Sequence, residues 1–406
     1  MTMAVSARTT WVEAYIREHC FGGGSTGGRP LTFGAELELL AFDTASLQVA
    51  PIAARDGLGC SLDAVRDVSR QLSWRETISD KGIPRFTSAG GGSLTFEPGG
   101  QLEYASAVHP SVDGVLAELR GVEARLRESA AGVGITLLAC GVDPFNGAEG
   151  APLQLDAMRY RQMAQYFAAI GADGARMMRQ TASLQINIGG IPMLERWPVA
   201  NAIAPWLVAL SANSPRYAGV DTGCASYRAE TWRGVDPRRT GLFPDGDAVR
   251  AYAAFALDAP AFLADPSAPP FNELDGELIS EASLSVHLTT LFPEVRPRGY
   301  LELRSPDAVD DVRRRAAMSL VAGVLCDDAA ARDAHDLVGE ADEALLSRAG
   351  RLGMRDEQLA SIARDLLGIA TAGCARLGSA IVSEELLGSL RALQHQQGHT
   401  GLGRMM

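Results

Sequence analysis

Lysine is nearly absent from this chain: Lys81 is the single lysine among 37 basic residues, and the others are arginine. A phosphate-cradling loop of the P-loop kind ends in Gly-Lys-Ser/Thr. The Gly-rich FGGGSTGG at 21–28 has no lysine and reads instead as a flexible linker. Schiff-base chemistry is equally unsupported, because Lys81 sits in a polar, turn-like SDKGIP rather than in a desolvated site. No run of 18 apolar residues occurs, so no transmembrane helix is expected. The first twenty residues lack the basic-then-apolar order of a secretory signal. The six cysteines (Cys20, Cys60, Cys140, Cys224, Cys326, Cys374) form no CxxC pair and read as reduced thiols of a cytoplasmic protein. There is no internal repeat. Positive charge is in deficit, with a formal net charge of −12, so neither nucleic acid nor an anionic membrane is an expected partner.

An apolar content of 47% and a charged content of 21% over 406 residues describe an ordinary globular chain with a large core. Helical spacing is expected over 9–20, and over 111–131, where Val112, Val115, Leu116, Leu119, Val122 and Leu126 recur on one face. It is expected again over 156–170, 196–212, 247–264, 310–326 and 339–393. Strand patterns start at Leu31 and return at 135–144 and 181–190, while 214–246, rich in Arg, Gly, Asp and Pro, reads as a long functional loop. This order predicts an α+β fold. The expected division is an N-terminal helix and linker (1–29), a catalytic domain (30–330), a helical extension of that domain (331–393) and a polar tail (394–406).

Four strand-like segments each carry one polar face. Residues i and i+2 of a strand point the same way. In LTFGAELELLAF this puts Glu36 and Glu38 opposite Phe33, Ala35, Leu37 and Leu39. In SLTFEPGGQLEYAS, Thr95 and Glu97 share a face, and after the PGG turn so do Gln101 and Glu103. TASLQINI aligns Ser183, Gln185 and Asn187, and RGYLELRSPDA aligns Tyr300, Glu302 and Arg304. One such segment is an ordinary half-buried strand with a wet side. Four of them, bearing Glu, Gln, Asn and Arg rather than Thr and Lys, point to a shared site.

If the faces converge, the carboxylates Glu36, Glu38, Glu97, Glu103 and Glu302 crowd together. Burying unpaired charges costs roughly several kcal/mol each, and like charges raise one another's pKa. A divalent cation relieves both effects, and an all-oxygen ligand set selects a hard ion, Mg²⁺ or Mn²⁺, over zinc. Mg²⁺ held by a few carboxylates commonly completes its shell with substrate phosphates. The pattern therefore predicts a nucleotide site in which Arg304 neutralises phosphoryl oxygens.

Seven blocks, in order from about 33 to 308, resemble the plant and proteobacterial type of glutamate–cysteine ligase. They are GAELELL, FEPGGQLEYAS, TASLQINI, SANSPRYAG, SYRAETWRGVDPRRTG, YAAFALDAPAFL and HLTTLFPEVRPRGYLELRSPDA. The compact length and the phrase VRPRGYLELR are most similar to the actinobacterial branch that makes γ-glutamylcysteine for ergothioneine. The resemblance implies a glutamine-synthetase-like fold, with an antiparallel sheet forming an active-site funnel and helices packed on its outer side. It implies ATP-dependent ligation of glutamate to cysteine through a γ-glutamyl phosphate, with Mg²⁺ (or Mn²⁺) bridging ATP and the carboxylates.

Carried over position by position, the resemblance makes Glu36, Glu38, Glu97, Glu103 and Glu302 the metal ligands and Arg304 and Glu103 the catalytic groups. Gln101, Gln185, Asn187, Arg228, Trp232, Arg238 and His287 are the expected substrate and nucleotide contacts. Trp232 serves equally as a core anchor of its loop, and His287 equally as a helix or strand cap. The cysteines match no redox switch of the plant members. His395 and His399, four apart in HQQGH, have no third ligand in view and are expected to have no metal role. Two rival readings remain: a related carboxylate–amine ligase with a different amine or acid, and a silent relative that only binds a metabolite or partner. A guanidino-phosphotransferase of similar fold has no support in the matched loop blocks.

Overall fold

A computed structural model describes residues 5–22, 29–54, 59–79 and 82–396. The Gly-rich 23–28, Lys81 and His399 lie outside the described residues. Among the described residues the strands are β1 (Thr32–Asp43), β2 (Arg75–Ile78), β3 (Pro84–Thr87), β4 (Ser93–Phe96), β5 (Leu102–Ala105), β6 (Ile135–Leu138), β7 (Leu184–Gly189), β8 (Arg216–Tyr217), β9 (Val220–Asp221), β10 (Val295–Pro297) and β11 (Leu301–Leu303). Nine of them form one sheet in the order β10-β11-β7-β1-β5-β4-β3-β2, with β6 also paired to β1. Every pairing in that sheet is antiparallel. The 12-residue β1 is its axis. Thr32–Leu37 pairs with β7, Glu36–Leu39 with β5, and Leu40–Asp43 with β6.

The alternation in β1 is kept: Phe33, Ala35, Leu37 and Leu39 are buried while Gly34, Glu36 and Glu38 are only partly so. The buried face packs on the helix Val112–Gly132, whose Val115, Leu116, Leu119, Val122 and Leu126 join the same core as β1. Ser111 caps that helix, its side chain accepting from Gly114 N at 3.1 Å. Met193–Ser211 covers β10 and β11 from behind, and Asp311–Leu325 covers β7. Helices thus cover one side of the sheet and leave the polar face of β1 free to line a cavity. No helix among the described residues is long and apolar enough to cross a membrane.

Several expectations need correction. The helix expected to run to 264 ends at Asp258, because Pro260 follows and the residue before a proline is pushed out of the helical region. The 214–246 segment is not all loop. It holds the β8–β9 hairpin and the helix Tyr227–Arg233, capped by Ser226 accepting from Ala229 N at 3.1 Å. Residues 394–396 finish the helix Glu384–Gln396, where His395 lies, instead of opening a tail. His287, open between a substrate contact and a cap, lies in the last turn of the helix Glu281–Leu288, which starts on a Ser280/Ser283 capping box.

Candidate active site

Sheet register brings the polar faces together. Glu36 lies opposite Gln185 on β7, Glu38 opposite Glu103 on β5, Thr95 opposite Glu103, and Glu302 opposite both Asn187 and Arg296. Glu97 follows β4 in a turn closed by Gly100 N donating to Glu97 O at 2.8 Å. Gly100 there takes φ +94, which a residue with a Cβ would resist. The row borders a cavity of about 680 Å³, lined by Glu36, Glu38, Glu97, Gln101, Glu103, Gln185, Trp232 and Arg304, among others.

The carboxylates are in electrostatic conflict. Burial, then the charge of Glu302, pushes Glu36 up to about 7 against the pull of Arg304, Arg296 and Arg298. Burial, with Glu38 and Glu36 adding to it, pushes Glu97 up to about 8. Glu103 is raised well above the carboxylate range by burial and then by Glu97, Glu36 and Glu38. Glu38 is also raised by burial, opposed by Arg228 and by a hydrogen bond from Ser183 N to its Oε2 at 2.7 Å. Gln185 Nε2 donates to Glu38 Oε1 at 3.1 Å, and Thr95 Oγ1 donates to Glu103 Oε1 at 3.2 Å. Like charges set directly opposite in a sheet destabilise it unless a proton or a cation intervenes.

Glu302 is different. Burial opposes its charge, but Arg296 and Arg304 beside it hold it down to about 2. Arg296 Nε donates to Oε2 at 2.6 Å, Arg298 Nη1 to Oε1 at 3.1 Å, and Arg304 Nη1 to Oε2 at 3.0 Å. Expected as a metal ligand, it is here the anchor of three guanidinium groups and does not line the cavity. Arg304 Nη1 also donates to Gln185 Oε1 at 2.6 Å, and its Nε is buried with no partner.

The remaining candidates divide. Trp232 faces the cavity and also donates from Nε1 to Phe292 O at 2.9 Å, so it lines the site and anchors its loop. Gln101 lines the cavity while tying down the turn, accepting from Gly99 N at 2.9 Å and donating to Thr181 O at 3.0 Å. Arg228 is buried outside the cavity lining. It donates to the carbonyls of Arg304 at 2.9 Å and Ser305 at 3.2 Å and lies 3.8 Å from Asp307. Asn187 shares the polar face without lining the cavity, and its Oδ1 is buried and unpartnered. Two expected substrate contacts lie elsewhere. The side chain of Arg238 is 45% exposed beside Asp236. His287 is buried against Phe271, its Nε2 2.8 Å from Ala256 O.

The cavity also holds residues the sequence reading passed over: Arg85, Arg159, Tyr160, Arg296 and Arg298, and from the N-terminal segment Tyr15 and His19. Arg296 and Arg298 were visible as a period-two pair in EVRPRGY. Arg159 and Tyr160 sit at the start of the helix Met158–Ala168 with no such signal.

No three His, Cys, Asp or Glu side chains among the described residues stand close enough together to hold an ion as they are placed. The chemistry of the donors still fits a hard cation. Four carboxylates raised chiefly by burial border one cavity, and Mg²⁺ needs only one or two of them beside phosphate and water oxygens. Glu302 would join such a set only by releasing an arginine.

Known proteins resemble this chain over most of its length. The chain is 31% identical over 408 residues to glutamate–cysteine ligase EgtA of Mycobacterium tuberculosis, covering 93% of this chain and 85% of that one. It is 35% identical over 346 residues to EgtA of Mycolicibacterium smegmatis (77% and 78%). It is 29% identical to the chloroplastic glutamate–cysteine ligase of Arabidopsis thaliana (78% and 66%). Among solved structures, glutamate–cysteine ligase of Francisella tularensis in complex with AMP shares the fold, with a TM-score of 0.55 at 14% identity over 92% of this chain and 83% of that one. The sequence model of glutamate-cysteine ligase family 2 (GCS2) matches residues 32–400, and the chain belongs to that family.

Proposed function

We propose that this chain is an ATP-dependent ligase joining the γ-carboxylate of L-glutamate to the amine of L-cysteine through a γ-glutamyl phosphate, at the cavity bounded by β1, β4, β5 and β7. The observation that carries this reading is the pairing within one cavity of repelling carboxylates (Glu36, Glu38, Glu97, Glu103) with the guanidinium of Arg304. Carboxylates suit a cation-bound polyphosphate, and a guanidinium suits a phosphoryl group in transfer. The names of the EgtA relatives supply the acid and the amine.

A carboxylate is a poor electrophile, so its hydroxyl equivalent must leave as phosphate. Transfer of the γ-phosphoryl of ATP to glutamate gives ADP and the acyl phosphate; attack by the amine then releases phosphate and a proton. A bound Mg²⁺ (or Mn²⁺) would neutralise phosphate charge, with Glu36, Glu38, Glu97 and Glu103 as its holders. The protein's own part is positioning and charge. Arg304, fixed by Gln185 and Glu302, presents a rigid cation to the transferring group. Arg228 holds the backbone of Arg304 and Ser305, and so the direction of that cation. A cytoplasmic location, with free ATP and reduced cysteine, belongs to the same proposal.

The test is ADP release by purified protein with Mg²⁺, ATP and glutamate across a panel of amines, with product masses read out and a Glu36→Gln variant alongside. γ-Glutamylcysteine as the main product, lost in the variant together with Mn²⁺ binding, is the expected result. A different preferred amine would change the substrate but keep the chemistry. No turnover with any amine would favour a silent relative.

A further inference from the structure

The matched family region starts at residue 32, yet the cavity has a wall built from residues before it. The helix Val5–Tyr15 runs into a single π turn, Ile16–Cys20, a geometry that widens the helix by one residue and is frequent at functional sites. The segment is firmly docked. Val12, Ile16 and Phe21 are buried in the main core, and Phe21 packs edge-on against Trp197, with ring centroids 5.2 Å apart. Gly299 N donates to Cys20 O at 2.6 Å, tying the π turn to the β10–β11 hairpin that carries Arg296 and Arg298. Tyr15 and His19 both line the cavity, with ring centroids 4.4 Å apart and planes at 42°.

We propose that Tyr15 and His19 form the binding platform for the nucleotide base, a role that rests on the ligase reading above. Three features separate a base from the other substrates. Glutamate and a small amine offer no flat face, whereas a purine stacks on aromatic side chains. His19 is exposed while the carboxylates sit on the sheet, and all of them border the one cavity, as the two ends of an elongated ligand require. Arg298, half-exposed and held by Glu302, borders the same cavity and offers a guanidinium to phosphates. The cavity also has a wall of Met163, Met177, Met178, Trp232 and Phe292, compact and soft, suited to a small amine's side chain rather than to a base. The plain alternative is that Tyr15 and His19 are an i,i+4 aromatic pair that only stiffens the helix. Trp11 and Tyr15 make a similar pair, with centroids 6.3 Å apart, but Trp11 does not line the cavity.

Calorimetric binding of two probes to the full chain with Mg²⁺ present tests this: ATP, and inorganic tripolyphosphate, which has the phosphates without the base. In Tyr15→Ala/His19→Ala the affinity for ATP should fall about tenfold or more, while that for tripolyphosphate stays within about twofold of wild type. Tyr15→Phe/His19→Phe should restore ATP binding, because the flat faces return. Kinetically the alanine pair should raise KM for ATP and leave KM for glutamate and amine unchanged. Equal losses for ATP and tripolyphosphate, an unchanged ATP affinity, or a shift in the amine KM alone would each overturn the base platform. A wild-type chain that binds ATP but joins no amine would overturn the ligase reading and leave the platform measurement standing.

Discussion

Arg304 reaches across from the end of β11 to β7 and donates from Nη1 to the side-chain oxygen of Gln185 at 2.6 Å. The same nitrogen serves Glu302, so the guanidinium is clamped on one edge while Nε remains buried and unpartnered. A fixed fork with unused donors is preorganised for phosphoryl oxygens. Lysine keeps the charge but lacks the fork. Arg304→Lys should therefore lower kcat by roughly 10²-fold with a much smaller change in KM for glutamate. Steady-state kinetics beside a thermal melt would check it, and a variant within a few-fold of wild type would remove Arg304 from the chemistry.

Glu302 gathers three arginines at a fully buried position. Removing one partner of a buried charge set leaves the others uncompensated, at a cost of roughly 3–5 kcal/mol. Glu302→Gln should lower the urea midpoint accordingly. It should also weaken ATP binding, because Arg296, Arg298 and Arg304 lose their common anchor. A variant as stable as wild type would mean that the arginines find other acceptors and that the clamp is dispensable.

The sheet and its polar face were legible because they follow a period of two. Phe33–Leu39 on one side and Glu36, Glu38 on the other need no partner strand to be read. The role of Glu302 was not legible, since it depends on which residues β10 sets opposite, and register across a hairpin is not a local property. The helix that carries His287 was not legible for a similar reason. It is eight residues long and starts on a Ser–Ser capping box, too short for a periodic signal. Tyr15 and His19 gave no sign either, because a contact between Cys20 and Gly299 brings them to the site from the far end of the sequence.

His287 makes a prediction about stability instead of catalysis. Burial holds its pKa down from 6.5 to about 4, so it is neutral in the folded chain. Below pH 6.5 the unfolded chain takes up a proton that the folded chain refuses, and stability falls as the pH drops toward 4. The slope is about 1.4 kcal/mol per pH unit and the total about 3 kcal/mol. Below about pH 4 this contribution has no further slope. His287→Gln keeps a donor for Ala256 O but removes the titration. The gap in stability between wild type and variant should thus close, or reverse, between pH 7 and pH 4 in urea titrations. Parallel curves over that range would mean that His287 does not titrate as its burial demands.

Beyond the sheet, the C-terminal helices are held by a contact as specific as any in the site. Gly323 of Asp311–Leu325 and Gly373 of Glu357–Leu377 meet where the two helices cross. A Cβ on Gly373 would stand 2.1 Å from Gly323 O, and one on Gly323 would stand 2.2 Å from Ala370 O. Neither obstacle is a flexible side chain, so the helices themselves must separate. Overpacking of this kind costs roughly 1–3 kcal/mol, against a gain of up to about 1 kcal/mol from replacing a mid-helix glycine with alanine. Asp311–Leu325 also packs on β7, which carries Gln185, so the displacement has a route to Arg304. Gly373→Ala should lower Tm and, at temperatures where it stays folded, lower kcat more than it raises any KM. A lower Tm with unchanged kcat would confine the helical region to a buttress. An unchanged or higher Tm would show that the crossing relaxes at no cost and that the close approach is not what fixes these helices.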